Sequence, residues 1–484
     1  MSGSHVAFGE NAVSRISYNG SVDNLYGWRS ANGASLRIGD NSYTEIIGDG
    51  DHFQSPNASG ITSRNGDLAV GDGAKVVMIT RNTENSDSST TSAGVFSERG
   101  GELNAGNHLR VEMDTSNYQS TYGLNASDNG TVLSVGDSLS VRVSAEGSQN
   151  AAGPSASGLW VQDSGIASIG DHSQIRVNTS SNASRTMGIY TGSSSTTTIG
   201  DDASVVVDSD AENNNHVLHT ESGGSLTFTG SAYIQGSHGA AWSNGEGSLV
   251  SLAGSGRKTI FGNLVSRNQG SILMDLSTPD SLLRGESSVR DDSDNEDVNA
   301  ADTEISLSNG AKWQLSGTSS VTKLANNGGT VDMQYNQHYQ DLHVGTFSGN
   351  GGLFLMKSDL ASQTDGDKVT IDSAAAGSTG VISVYDRSLA TGSEVTGARH
   401  LLMVTDSSKN ATFTGSALNT GGLWEITPTI QQGGTFTDAD GNTVGNPSEW
   451  YLASVQKTIN KDTKPLIDAG DNTYGLYRMS VDTL

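Results

Sequence analysis

The chain has 484 residues, of which 33% are hydrophobic, with 61 glycines, 6 prolines, no cysteine and a net charge of −26. That acidity argues against nucleic acid, whose phosphates demand basic stripes, and disfavours anionic membrane surfaces. No apolar run approaches the ~20 residues of a membrane helix, and the opening MSGSHVAFGE has neither the basic region nor the apolar core of a secretion signal, so any targeting segment is expected outside this stretch.

So little apolar content with so much charge would by itself suggest disorder. The order of the residues says otherwise. One phrase keeps returning: LRIGDNSYTEI at 36–46, LAVGDGAKVVM at 68–78, LSVGDSLSVRV at 133–143, IGDHSQIRV at 169–177 and TTIGDDASVVV at 197–207. LNAGNHLRVEM at 103–113 has lost its aspartate, and LTFTGSAYI at 226–234 is a weaker copy. The central glycines, from Gly39 and Gly71 through Gly106, Gly136, Gly170 and Gly200 to Gly230, recur every ~30–35 residues, a spacing that means stacked units. Each phrase reads as two short alternating strands hinged on Gly-Asp. The glycine is expected to supply positive φ and the aspartate to bond its own turn.

Before each Gly-Asp phrase stands another, a small residue followed by apolar residues and a turn: YGWRSANG at 26–33, GITSRNG at 60–66, GVFSERGG at 94–101, GLNASDNG at 123–130, GLWVQDSG at 158–165 and GIYTGSSS at 188–195. A unit thus holds about three short strands, the coil of a right-handed parallel β-helix in an all-β chain. Such a solenoid buries thin stacked apolar ladders and tolerates low overall hydrophobicity. Polar loops at 83–93, 146–156, 178–186 and 208–215 fall once per unit and are expected along one edge. After about residue 253 the period blurs. The run at 284–302 carries Asp291, Asp292, Asp294, Glu296 and Asp297 without the spacing of a calcium loop, and reads as a solvated acidic loop.

Alternation then sharpens in ISLSNGAKWQLSGTSSVTKLANNGGTVDM at 305–333, through Trp313, Leu315, Val321 and Leu324. It continues in LHVGTFSGNGGLFLM at 342–356, DGDKVTI at 365–371 and WYLASVQ at 450–456. These runs resemble the C-terminal passenger region of bacterial autotransporters, the pertactin-like and AIDA-like group, including the segment called the autochaperone. The resemblance covers roughly 300–460. It implies β-helix passenger repeats over 1–303, C-terminal rungs with an autochaperone-like, β-rich cap over 304–462, and a linker over 463–484 leading to the protein's own outer-membrane barrel. It also implies secretion through that barrel and display at, or release from, a Gram-negative surface. The lack of cysteine suits a chain that must cross a narrow pore unfolded.

The chemistry is sparse. Gly136-Asp137-Ser138-Leu139 spells the nucleophile motif of a class of esterases, but no Asp-x-x-His follows it, and it sits in the register of the other Gly-Asp turns. Asp163-Ser164-Gly165 faintly resembles a trypsin-like nucleophile motif but occupies a repeat-turn slot. The histidines are scattered, with His216 and His219 the closest pair, expected as surface residues of an edge loop. The run from Asp438 to Asn442 reads as a hairpin. No catalytic residue, metal ligand or cofactor is assigned. Trp28, Trp160, Tyr190 and Trp242 hold equivalent places in the second phrases, either a stripe for stacking on sugars or a stacked core ladder. The expected function is adhesion to a host-cell or bacterial surface glycan or protein through loops or a broad face. Self-association is the alternative, and a surface hydrolase a more remote one.

Overall fold

In the computed structural model of the chain, the described residues are all except 1–3, 20–23, 51–56, 83–90, 147–154, 181–183, 210–214, 291–300, 363, 392–399, 420–423, 439, 461, 466–467, 471–472 and 475–484. The chain divides into two compact units, Met1–Ile305 and Ser306–Leu484.

In the first unit the two recurring phrases become three parallel ladders. Short strands such as Leu36's Ser35–Ile38, Asp67–Val70, Glu102–Ala105, Val132–Val135 and Ile166–Ile169 pair in succession as the first ladder. Lys75–Asn82, Arg110–Ser116, Ser140–Glu146, Gln174–Thr179 and Ala203–Ser209 form the second. Thr91–Glu98, Ser120–Ser127, Ser155–Gln162, Arg185–Gly192 and Asn215–Glu221 form the third. This is a parallel β-helix.

Equal registers stack like on like. Val76, Val111, Val141, Ile175, Val205 and Ile234 run up the second ladder, and Ile61, Val95, Leu124, Leu159, Ile189 and Leu218 up the third, all buried. Each such side chain contributes roughly 1.5–3 kcal/mol when fully buried. A few apolar positions per coil therefore suffice, which reconciles the acidic, glycine-rich composition with a folded chain. The small residue that opens the second phrase is a packing requirement. A Cβ on Gly158 would stand 2.1 Å from Ile175 Cγ2, and one on Gly123 would stand 2.3 Å from Val141 Cγ1.

The second unit begins with parallel rungs and ends differently. Trp313, Val331, Phe354 and Ile382 stack in register through Lys312–Gln314, Thr330–Asp332, Gly352–Ser358 and Thr379–Asp386. Ser319–Asn327, Asp341–Gly349, Lys368–Ala374 and Leu401–Asp406 build a companion ladder. Leu401–Asp406 then pairs antiparallel with Glu449–Ile459, which pairs antiparallel with Trp424–Gln432. The expected β-rich cap is this antiparallel sheet, and it occupies the ladder edge that Leu401–Asp406 would otherwise leave open. Beneath it, Phe413 lies 6.1 Å from Phe347, 6.2 Å from Phe354 and 5.7 Å from Trp450. Most of the linker's C-terminal half, 475–484, lies outside the described residues.

Candidate binding faces

The Gly-Asp turns are built differently from the sequence expectation. Each aspartate bonds the next coil rather than its own turn: Asp40 Oδ1 accepts from Asp72 N at 2.9 Å, Asp72 Oδ1 from Asn107 N at 2.7 Å and Asn107 Oδ1 from Asp137 N at 2.8 Å. The series continues with Asp137 to Asp171 at 2.9 Å, Asp171 to Asp201 at 2.7 Å and Asp201 to Ser231 at 2.6 Å. Asp201 alone of these also caps its own turn, accepting from Asp202 N at 2.9 Å. The glycine is required for closeness and not for positive φ. A Cβ on Gly71, Gly106 or Gly200 would meet the carboxylate of the preceding coil at 2.2–2.3 Å. The left-handed backbone falls two residues later, at Asn41, Gly73, His108, Ser138, His172 and Asp202.

That column decides the reading of Ser138. Its N–H donates to Asp171 O, as His108 and His172 donate to Asp137 O and Asp201 O. Ser138 thus stands between two histidines, and His172 Nδ1 lies 3.1 Å from Asp202 Oδ2, which raises the His172 pKa. The sequence search for a downstream Asp-x-x-His missed this juxtaposition, because the partners come from successive coils. Among the described residues, however, no hydrogen bond joins the Ser138 side chain to either ring, and His172 and Asp202 are largely exposed. Asp163 and Ser164 are both left-handed, as is Asn65 in the equivalent turn.

The four aromatic candidates are not equivalent. Trp160, Tyr190 and Trp242 share one column with Asn125, Phe96 and His219, but Trp28 pairs with Ile61, in the inward column of Leu159. The tryptophan directly follows the glycine in Gly27-Trp28 but comes one residue later in Gly158-Leu159-Trp160, and a shift of one residue moves a side chain to the other side of a strand. Trp28 instead packs edge-on against Phe8, with ring centres 4.7 Å apart. In the true column, Trp160 and Tyr190 stack at 3.7 Å and are only 8% and 4% exposed. With Ala93, Tyr122 and Met187 they form a satellite core, leaving no open ring face for a ligand.

His219 belongs to this column and His216 to the one that holds Met187, and neither lies in a surface loop. They lie on the strand Asn215–Glu221, with His219 buried. His216 stacks on Trp242 at 4.6 Å, and burial, followed by the neighbouring His219, pushes its pKa down to about 3. Glu221 Oε1 accepts from the Tyr190 hydroxyl at 2.6 Å, and Glu221 Oε2 lies 3.3 Å from His219 Nε2. The His219 and Tyr190 bonds hold its carboxyl at about 2 against the cost of burial. Arg267 covers the Trp242 face at 5.2 Å.

Asp438 sits in the expected hairpin, closed by the Thr437–Thr443 bridge, and its carboxylate accepts from Asp440 N and Asn442 N at 3.0 and 2.8 Å. Among the described residues no three His, Asp or Glu side chains converge as metal ligands. The acidic run from Asp291 to Asp297 and most of the four edge loops lie outside the described residues.

The outer side of the second ladder is exposed and regular. One column reads Arg142, Arg176, Val206, Gln235, Phe261 and Arg284 through successive coils. No sequence motif marks it, because its members alternate with core residues and differ from coil to coil.

Comparison with known proteins places the C-terminal unit. The family model described as Pertactin matches residues 321–428. The chain is similar in structure to the autotransporter UpaB from E. coli strain CFT073, with 16% identity, 93% of this chain and 90% of that one covered, and a TM-score of 0.40. It is also similar to the Haemophilus influenzae Hap adhesin, with 11% identity, a TM-score of 0.32, and coverage of 93% of this chain but 64% of that one. A sequence comparison with curated proteins gives no match. Over 321–428 the chain is pertactin-like, within the stretch where its sequence resembles that group.

Proposed function

We propose that the chain is a surface-displayed or secreted passenger that works by adhesion, with no catalytic role, and that its partner is a glycan or protein of a host or bacterial surface. The observation that supports this reading is the registered outer face of the second ladder. Its side chains are held by buried columns and by the turn aspartates, a rigid bearer of the kind on which recognition residues are displayed. The full chain, purified, is to be tested on glycan and matrix-protein arrays and on cultured cells. Retention on at least one surface is expected, and retention on none would remove the adhesin reading.

A second reading, self-association, is favoured by one feature. Ile47 and Ile79 are register partners on the same outer face and are 41% and 37% exposed. Sedimentation of the parent and of the Ile79→Lys variant separates the two readings. A concentration-dependent dimer lost in the variant supports self-association, and a monomer throughout leaves adhesion to foreign partners.

A further inference from the structure

The outer face of the second ladder carries a cavity of about 400 Å³ lined by Arg176, Val206, Asp208, Tyr233, Gln235 and Ser237. It lies where the coil geometry changes. In the preceding coil the second and third strands are separate elements, Ala203–Ser209 and Asn215–Glu221, whereas Ala232–Asn244 is one continuous strand. The register slips there, between Gln235 and Gly239.

We propose that this cavity is a subsite for an uncharged saccharide, a neutral hexose unit of a surface glycan; the inference rests on the adhesin reading. Sugars are recognised by an aromatic ring against their C–H face together with planar polar side chains that bond vicinal hydroxyls, and both are present. Tyr233 is 36% exposed and meets Phe261 edge-on at 6.0 Å, giving an aromatic shelf, which Arg284 extends over Phe261 at 5.3 Å. The same lining supplies a guanidinium, a carboxylate and an amide. Arg176 and Asp208 form an ion pair at 3.7 Å, beyond direct hydrogen-bond reach, and the Tyr233 hydroxyl bonds the Gln235 side chain, which fixes both.

Charge decides against an acidic sugar. One cation and one anion cancel within the cavity, and a chain of net charge −26 repels polyanions at long range. Strand addition by a peptide is disfavoured as well, because the backbone on both sides of this strand is already paired with Ala203–Ser209 and Lys258–Arg267.

The test uses the full chain on an array of neutral oligosaccharides ending in glucose, galactose, mannose or N-acetylhexosamine, beside sialylated and sulfated counterparts. At least one neutral glycan is expected to bind, with affinity falling about tenfold in Tyr233→Ala and in Gln235→Ala at unchanged melting temperature. Lys312→Ala, in the other unit, serves as the control and should bind like the parent. Capture of only charged glycans, no capture at all, or equal binding by the Tyr233 and Gln235 variants overturns the subsite. If the parent adheres to cells and Tyr233→Ala adheres equally well, the subsite fails while the adhesin reading stands. If the parent adheres to nothing, both fail.

Discussion

In Met1–Ile305 the turn aspartates sit on the surface and each makes the same bond, one carboxylate oxygen to one backbone N–H of the next coil. In Ser306–Leu484 two aspartates at strand ends, Asp386 and Asp406, are buried, and each gathers a different set of donors. Asp386, fully buried, accepts from Ser358 Oγ at 2.7 Å, Leu360 N at 3.0 Å, Leu389 N at 3.2 Å and also Ser388 Oγ. Asp406 likewise takes Ser408 N, Ser408 Oγ and Ala411 N. A repeated exposed bond tolerates substitution, since Asn107 makes it through its own Oδ1 where the other coils use aspartate. A unique buried clamp does not. The first arrangement suits a unit that extends by copying, and the second a unit that must end.

The largest test of this contrast is Asp386→Ala. Removing a buried acceptor strands its donors, so stability should fall by about 3 kcal/mol. Asp137→Ala, in the surface series, should cost about 1 kcal/mol, the value of a single bond. Denaturant titration of both variants checks the ratio, and equal losses would erase the distinction.

Next comes Gly170→Ala, whose Cβ would stand 2.4 Å from Asp137 Oδ1 and 2.7 Å from the Gly136 carbonyl carbon. Because backbone must yield, a loss of about 2 kcal/mol is expected. The paired variant Gly170→Ala with Asp137→Ala should recover only part of it, since the backbone contact remains.

Acidity should act on the units in opposite senses. Burial pushes the Asp367 carboxyl up to about 6, although it accepts from Lys357 N and Gln340 N. The folded chain therefore holds a proton that the unfolded chain has released, and this group's contribution to stability declines as pH rises from about 4 to 6. Glu221 is held at about 2 by His219 and Tyr190, so its contribution is present above the ordinary carboxylate range and is lost as pH falls through 2. Melting curves against pH should lose the first slope in Asp367→Asn and the second in Glu221→Gln. A slope unchanged by its own variant would remove that assignment.

The smallest effect expected is a gain. Ser138 has φ of 63°, and glycine at that position relieves the left-handed strain, so Ser138→Gly should stabilise by about 0.5–1 kcal/mol. The same variant tests the esterase motif. Hydrolysis of a short-chain ester by the parent and not by the variant would restore Ser138 as a nucleophile.

The repeat spacing and the division of each coil into three strands were legible in the sequence. Stacking like on like writes the same pattern at every turn, and local alternation sets which residues face inward. What the Gly-Asp phrase does was not legible, because its bond crosses some 30 residues to the next coil. Nor was the fate of the aromatic stripe. A one-residue offset after glycine sent Trp28 to the inner column, and stacking on Met187 and Tyr122 closed over Trp160 and Tyr190. The exposed column from Arg142 to Arg284 has no motif, since outward positions answer to no packing constraint and vary freely. Local pattern determined the ladders. Only the register between coils decided which side chains meet across them, and so which face is left to bind.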